Sequence, residues 1–587
     1  MGADQLKALI DFTGAAPEGG ALRCAFEKPV RTLAAPVPGE VRGVLQAAEQ
    51  AAQAGQWCVG FVRYEAASAF EPAASLHAGE GPLAWFAVFD HVLPWPQRLP
   101  ACYPPLRWAA RLQREPFERR IARIHRAIAD GEAYQVNLTA PVSAAFEGDA
   151  LALFAALHRA QPQAYAAFID TGDEQVLSVS PELFFDWRGA RLLSRPMKGT
   201  APRGATPDED AAHAARLVAS EKERAENLMI VDLIRNDLSR VAEPFSVQVP
   251  RLFDTRAWPT VWQMTSDVSA RTRPGTTLAD VFAALFPCGS VTGAPKLRAM
   301  HWIRELEDGP RGVYCGAVGV LQPGGAATFN VAIRTVVIRG AEARCGIGSG
   351  ITADAGADAE WLEWQHKRGF LERAREPFDL LQTMRLEQGG FPAARLHLAR
   401  LEAAARHFGY RFEQEAVQAA LARAAAAHAQ GCWRVRLLID AAGEVRCEAF
   451  AFAPGQEPVR VALADGPIEA PLDFLRFKTT RRGHYERLAP AGGGVFDTLL
   501  WNADREITEF TRGNVIAELD DGRRVTPALR CGLLDGVGRA LALQRGDVVE
   551  AVLRVDDLPR VRRLWFVNAL RGELEVENLP LLQRQGQ

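Results

Sequence analysis

Hydrophobic and polar positions along this chain fall into short apolar runs separated by stretches of helical period, and the pattern shifts near residue 375. Before that point the runs Gln56 to Tyr64, Tyr134 to Ala140, Gln175 to Ser180, Leu183 to Trp187, Thr260 to Val268, Val313 to Leu321, Ala327 to Val337 and Ala343 to Ile347 predict strands. Helical spacing predicts a helix over Ala122 to Asp130, stopped near Gly131. It also predicts one long helix over Ala211 to Val241 and a charge-rich helix over Asp358 to Ala374. The proline-broken stretch Pro94 to Pro105 predicts a surface connection. After Pro377, Phe378 to Arg385 and Trp433 to Asp440 predict strands, the second with alternating arginines. Arg395 to Phe408 and the Ala-rich Ala416 to Ala429 predict helices. No Gly/Ser-rich linker marks the change and no internal repeat is present. The expected architecture is a mixed α/β (α+β) chain with a first domain over 1–375, divided into an N-terminal part (1–115) and a core (116–375). A second domain over 376–587 follows it directly.

A length of 587 residues exceeds what one hydrophobic core serves, which supports the division. Lys and Arg total 68 against 71 Asp and Glu, a net charge of -3, so charge gives no reason to expect a nucleic acid or an anionic membrane as partner. No apolar run is long enough to span a bilayer, and Met1 to Phe12 lacks the pattern of a signal peptide. Nine cysteines without a single C-x-x-C pair fit a reducing, cytoplasmic setting.

The candidate chemistry of the first domain begins at Lys198, in Pro196-Met197-Lys198-Gly199-Thr200. The pentapeptide alone fits a surface turn. It also fits a covalent nucleophile, because Gly199 lets backbone approach a ligand and a deprotonated lysine attacks carbon. Glu223 and Glu226 share one helical face, and Glu360 and Glu363 share another. Either pair alone fits a solvated surface; together, four carboxylates without histidine suit a hard cation such as Mg²⁺. Gly346-Ile347-Gly348-Ser349-Gly350 lacks the dinucleotide spacing but offers backbone N–H groups to a carboxylate. Arg334 is a candidate carboxylate fork or a strand-end ion pair.

Seven segments occur in one order: Ser180-Pro181-Glu182-Leu183-Phe184, Lys198-Gly199-Thr200, Glu223-Arg224-Ala225-Glu226-Asn227, Val231 to Asp237, Gly289 to Lys296, Ala332-Ile333-Arg334-Thr335 and Gly348-Ser349-Gly350-Ile351. Together they resemble the chorismate-utilising enzymes, over about Gly131 to Phe370. That resemblance implies a large β-sandwich with helices and a pocket for chorismate. Lysine at position 198, where most branches of the family carry alanine, resembles the branch that aminates chorismate at C4. It implies that Lys198 attacks C2 while Glu182 protonates the departing C4 hydroxyl. It also implies that Glu226 and Glu363 hold Mg²⁺ directly and that Glu223 and Glu360 assist through water. Tyr314, Arg334, Gly348, Gly350 and Lys367 are implied to hold substrate carboxylates, with Thr200, Gln263 and Thr292 lining the pocket. Gln135 stands where water-activating relatives carry a lysine base, and glutamine cannot deprotonate water. Gln263 replaces a histidine found in many relatives. No nucleophile elbow of a glutaminase is present, so a separate glutamine amidotransferase subunit, or free ammonium, is the expected source of ammonia.

In the second domain, Phe477-Lys478-Thr479, Ile507 to Val515 and Gly532 to Arg539 resemble fold type IV pyridoxal-phosphate enzymes, over roughly Phe378 to Asn578. The resemblance implies a two-subdomain fold and the cofactor pyridoxal 5'-phosphate, carried by Lys478 with Glu509 opposite the pyridine nitrogen. Arg400, with backbone groups near Asn514-Val515 and Gly536-Val537, is implied to bind the phosphate, and Asn568 lies in the usual active-site strand. Relatives of this fold commonly form homodimers. The motifs alone do not separate a lyase from an aminotransferase; the neighbouring domain favours a lyase that splits 4-amino-4-deoxychorismate into 4-aminobenzoate, for folate, and pyruvate. Two alternatives stay open: an anthranilate-forming first half joined to an aminotransferase, and a non-catalytic scaffold that docks an amidotransferase.

Overall fold

The computed structural model describes residues 6–12, 22–96, 99–100, 106–161, 163–204, 207–258, 261–374, 378–408, 410–441, 443–453, 458–470, 472–490 and 494–577. The chain is a mixed α/β protein of two compact units, with the main division in the sequence falling just before Phe378.

Among the described residues, the first unit is built on two ten-stranded antiparallel sheets. Alternate side chains of both sheets, among them Ile10, Phe61, Trp85, Ile169 and Val320, form one core. Helices Pro38–Gln53, Glu221–Ser239 and Leu278–Leu285 pack Leu45, Ile230 and Phe282 against the outer face of one sheet. Helices Arg114–Ala129, Ala150–Ala160, Lys296–Leu306 and Ala357–Arg373 pack Phe117, Phe154, Ile303 and Trp364 against the other. Apolar positions at Phe117, Ile121 and Ile124 give one of these helices its buried stripe. Strands covered on both faces lose the alternation of a half-exposed strand, which is why Ala84–Phe89 is buried throughout. The N-terminal strands belong to both sheets: Leu6–Asp11 pairs with Tyr165–Asp170, and Trp57–Val62 with Ala317–Leu321.

The chain crosses between these sheets at two places that position the site. Strand Gln175–Ser180 lies in one sheet and Leu183–Arg188 in the other, joined by Pro181-Glu182. The stretch Ala327 to Val337, expected as one strand, is two: Ala327–Val331 and Thr335–Arg339, in different sheets. The break falls at Arg334, whose backbone takes φ +49°. The crossings are hydrogen-bonded to each other, Val331 N donating to Glu182 O (3.1 Å) and Val179 N to Arg334 O (3.1 Å).

The single helix expected over Ala211 to Val241 is also two, Pro207–Ala219 and Glu221–Ser239. Ser220 interrupts them because its side chain accepts from Glu223 N, starting a new helix. The strand expected from Thr260 runs over Val261–Arg271, Thr260 itself lying outside the described residues, as do 97–98 and 101–105 of the predicted proline-broken connection.

In the second unit, strands Leu380–Glu387, Cys432–Ile439 and Val445–Ala451 form a three-stranded antiparallel sheet. Helices Ala394–Phe408 and Gln414–Ala427 pack Leu401, Phe408 and Val417 against its Met384 and Leu437. An eight-stranded mixed sheet follows, with Leu499, Phe510, Val515 and Phe566 in its core. Among the described residues no helix is long and apolar enough to cross a membrane.

Candidate active site

The first unit contains a cavity of about 190 Å³, and Lys198 projects into it from the edge strand Met197–Pro202. That strand pairs with Val261–Arg271, and its register slips between Met197 and Thr200. Lys198 and Gly199 therefore occupy a bulge, which turns the lysine out of the ladder. Glycine is required there: Gly199 has φ +91°, and a Cβ would meet Glu223 Oε2 at 3.0 Å. Lys198 Nζ stands 3.7 Å from Glu226 Oε2.

Glu182 faces the same cavity from the first sheet crossing, and Arg334 from the second. Glu182 is buried, which pushes its carboxyl up to about 7 against the opposing pull of Ser290, whose hydroxyl donates to Oε1 at 2.7 Å. A carboxyl held there is protonated in part at neutral pH. Arg334 donates to Gln161 Oε1 and has no carboxylate partner among the described residues. Burial, then the charge of Arg373, bring its guanidinium down to about 10. An unpaired buried guanidinium is a strong attractor for an anion.

The glycine string lies inside strand Glu342–Ile351, so Gly346, Gly348 and Gly350 share the face turned to the cavity. A Cβ on any of them would force a neighbour to shift. A Cβ on Gly350 would stand 2.6 Å from both Lys198 Nζ and Gln135 Nε2; on Gly348 it would strike Leu138 O, and on Gly346 the Tyr314 ring. Gln135 is fully buried, and neither its Oε1 nor its Nε2 has a hydrogen-bond partner among the described residues, so its amide is a free polar group beside Lys198.

All four expected glutamates line this cavity. Burial and the charge of Glu226 raise Glu223; burial and the charge of Glu363 raise Glu360. Lys367 Nζ lies 2.6 Å from Glu363 Oε1 and donates to Gly348 O at 3.0 Å, which holds Glu363 low. Ser349 donates to Glu360 and accepts from Trp364 Nε1 (2.9 Å). Mutually repelling carboxylates around one cavity are the donor set for a hard cation. Among the described residues, however, no three of them already stand together as a ready metal-holding group. Thr200, Gln263 and Tyr314 also line the cavity, with Gln263 Nε2 3.4 Å from Thr200 Oγ1. Thr292 does not: it is buried, and its hydroxyl donates to Cys288 O. Ser290, in the same quoted segment, escaped the sequence reading although its hydroxyl donates to the Glu182 carboxyl.

The second unit has its own cavity, lined by Arg400, Lys478, Glu509, Asn514, Gly536, Val537 and Asn568 of the expected set; Val515 is a buried strand residue behind it. The backbone of Lys478 is fixed by Leu381 N, which donates to its carbonyl at 2.9 Å. Burial, with the charges of Arg482 and Arg400, holds its amine well below the ordinary lysine range. Glu509 is raised to about 7 by burial while accepting from Tyr485 OH (2.6 Å) and Leu534 N (3.2 Å). Arg400 donates to Gln382 Oε1 (2.6 Å) and to Asp535 O (3.1 Å), and burial brings it down to about 10. Helix Val537–Arg545 begins at Gly536 with no side-chain cap, leaving its first N–H groups for an anion. Glycine is needed at 536 because a Cβ would strike Asn514 Oδ1. A neutral-prone lysine, a buried acid, an arginine and an uncapped helix start fit a phosphorylated pyridine cofactor.

Comparison with known proteins follows the same division. Residues 94–373 match the chorismate binding enzyme family and residues 379–579 match amino-transferase class IV. Aminodeoxychorismate synthase component 1 of Klebsiella aerogenes is 43% identical over 256 residues, 44% of this chain and 57% of that protein. Anthranilate synthase component 1 of Methanothermobacter thermautotrophicus is 39% identical over 273 residues, 46% of this chain and 57% of that protein. The chain thus spans little more than half the length of these curated relatives. The crystal structure of anthranilate synthase component I from Streptococcus pneumoniae superposes with a TM-score of 0.53 at 25% identity, covering 63% of this chain and 93% of that one. Overall similarity does not separate the aminodeoxychorismate from the anthranilate branch.

Proposed function

We propose that this chain, in which a chorismate-binding domain precedes an amino-transferase class IV domain, makes 4-aminobenzoate from chorismate in two successive reactions. The observation that carries the reading is Lys198, turned by its bulge into a cavity that it shares with a protonated-prone acid, Glu182.

In the first reaction Lys198 adds through its amine to C2 of chorismate, and the C4 hydroxyl leaves as water with the proton of Glu182. Lys198 attacks as the neutral amine, so its proton must leave before the bond to C2 forms. Ammonia then bonds to C4, the bond from C2 to Lys198 breaks, and 4-amino-4-deoxychorismate is released. Gln135 beside Lys198 has no basic atom to activate water, which favours ammonia as the nucleophile. The ammonia comes from a glutamine amidotransferase subunit or from free ammonium. Arg334 and Lys367 bind substrate carboxylates. Mg²⁺, held by Glu226 and Glu363 with Glu223 and Glu360 behind them, would supply positive charge to a substrate carboxylate.

In the second reaction pyridoxal phosphate, when bound, supplies an electron sink. Lys478 takes the C4 proton of 4-amino-4-deoxychorismate, a role open to it because its surroundings favour the neutral amine. The ether bond at C3 breaks, the enolate of pyruvate departs and takes up the proton held by Lys478, and the ring becomes aromatic. Glu509, held by Tyr485 and Leu534, would keep a proton on the pyridine nitrogen. Incubating the purified chain with chorismate, Mg²⁺, ammonium and pyridoxal phosphate is expected to give 4-aminobenzoate and pyruvate in equal amounts. Anthranilate as the product would replace the first reaction, and absence of turnover would favour a docking scaffold.

A further inference from the structure

The alternating arginines of strand Cys432–Ile439 have no part in the chemistry above. Arg434 and Arg436 share one face of that strand, while Val435 and Leu437 are buried on the other. Both arginines line the cavity around Lys478, as does Arg571. Most of the guanidinium groups around this cavity are already committed. Arg400 donates to Gln382 and Asp535 O, Arg436 to Glu448 (3.0 Å), Arg482 to Thr511 O (2.6 Å), and Arg512 to Asp497 (3.2 Å).

Arg434 and Arg571 are different. Neither is paired with a carboxylate among the described residues; each is held by aromatic faces instead. The Arg434 guanidinium lies 4.8 Å over Phe450, its cross-strand neighbour. That of Arg571 lies 5.1 Å from the Phe452 ring and 5.7 Å from that of Phe496. Stacking of this kind fixes the plane of the guanidinium and leaves its N–H edge free to fork a carboxylate. Arg571 is also set by its turn: Asn568 Oδ1 accepts from the N–H groups of Leu570 (3.1 Å) and Arg571 (2.7 Å). Burial, then the charges of Arg512 and Arg434, depress Arg571, so the two guanidinium groups are near enough to repel each other. Two oriented, like-charged groups with no counter-ion beside a reactive lysine are the mark of a site for a doubly negative ligand.

We propose that Arg434 and Arg571 form the subsite that receives the two carboxylates of a dianionic cyclic substrate in the second unit, one arginine for each. The inference rests on the reading that this unit consumes 4-amino-4-deoxychorismate, which carries one carboxylate on its ring and one on its ether-linked side chain. It also explains release: once the ether bond is cut, each product keeps a single carboxylate and loses half of the grip.

The test uses the full chain loaded with pyridoxal phosphate, as Arg434→Gln, Arg571→Gln and the double variant. Supplied 4-amino-4-deoxychorismate is the substrate. The probe is 3-(carboxymethoxy)benzoate, which has both carboxylates but no amine, with benzoate as the one-carboxylate control. Probe affinity is read as competitive inhibition and as the absorbance change of the bound cofactor. Each single variant is expected to raise KM and weaken the dicarboxylate by about tenfold or more, the worth of a charged hydrogen-bonded contact. The double variant is expected to exceed either, benzoate to respond to only one of the singles, and cofactor affinity to hold. Unchanged KM and probe affinity in a working enzyme would overturn the subsite alone. A loss of cofactor affinity in its place would overturn it too, by assigning these arginines to the phosphate. A wild-type chain that binds the cofactor but never consumes 4-amino-4-deoxychorismate would overturn the reading beneath it.

Discussion

Lys198 and Lys478 are the same side chain placed in opposite surroundings. Lys198 stands at the rim of an acid-lined cavity, facing Glu226 across 3.7 Å, with Glu182, Glu223, Glu360 and Glu363 around it. Lys478 lines a cavity where, among the described residues, arginines outnumber the one acid, Glu509, and where burial favours its neutral amine. The first arrangement suits a cation beside its lysine; the second suits anions and favours the neutral amine of its lysine. On the proposed function one residue type serves two chemistries, set apart by the neighbours rather than by the lysine.

That contrast can be broken one side at a time. The largest effect is expected from Lys478→Ala, which leaves the acid cavity untouched. Chorismate should still be consumed, 4-amino-4-deoxychorismate should accumulate, and 4-aminobenzoate formation should fall on the order of a thousandfold or more. Chromatography of the reaction mixture distinguishes this from a general collapse, in which neither compound would form. Next comes Glu182→Gln, expected to slow the first reaction about a hundredfold or more while leaving the second intact. Glu182 is raised to about 7 and acts in its protonated form, so wild-type synthase activity should fall as pH rises through that value. The glutamine variant should lose that limb from its pH–rate profile; a limb that persists would assign it to another group. A smaller effect, roughly ten- to a hundredfold on the first reaction only, is expected from Gly350→Ala. Its methyl group would lie 2.6 Å from both Lys198 Nζ and Gln135 Nε2, and steady-state rates of the two half-reactions measured separately would show whether the damage stays in the first cavity.

Much of both cavities is legible in the sequence, because the candidate residues are chemically conspicuous: a lysine before glycine, glutamates three apart on a helix, a string of alternating glycines. The neighbouring residues were less so. Ser290 holds Glu182 across 108 positions of sequence, and only the two sheet crossings bring Glu182 and Arg334 to one place. Arg334 interrupts an apolar run that looks continuous, since a left-handed backbone at arginine leaves no compositional trace. Ser220 is the opposite case: the spacing from Ser220 to Glu223 signals a helix start, yet the helical period on either side of it conceals the break. The alternating arginines at 434 and 436 were visible as a pattern without a purpose. Their difference lies in partners across the sheet, Phe450 for one and Glu448 for the other, which the sequence of one strand does not contain.

The central claim is that Lys198 is the nucleophile of the first reaction and has no part in the second. The most direct measurement compares Lys198→Ala with the wild type on two substrates, following 4-aminobenzoate. Starting from chorismate, Mg²⁺ and ammonium, the variant is expected to form none above background; starting from supplied 4-amino-4-deoxychorismate, it should match the wild type. Formation of 4-aminobenzoate from chorismate at the wild-type rate would contradict the account.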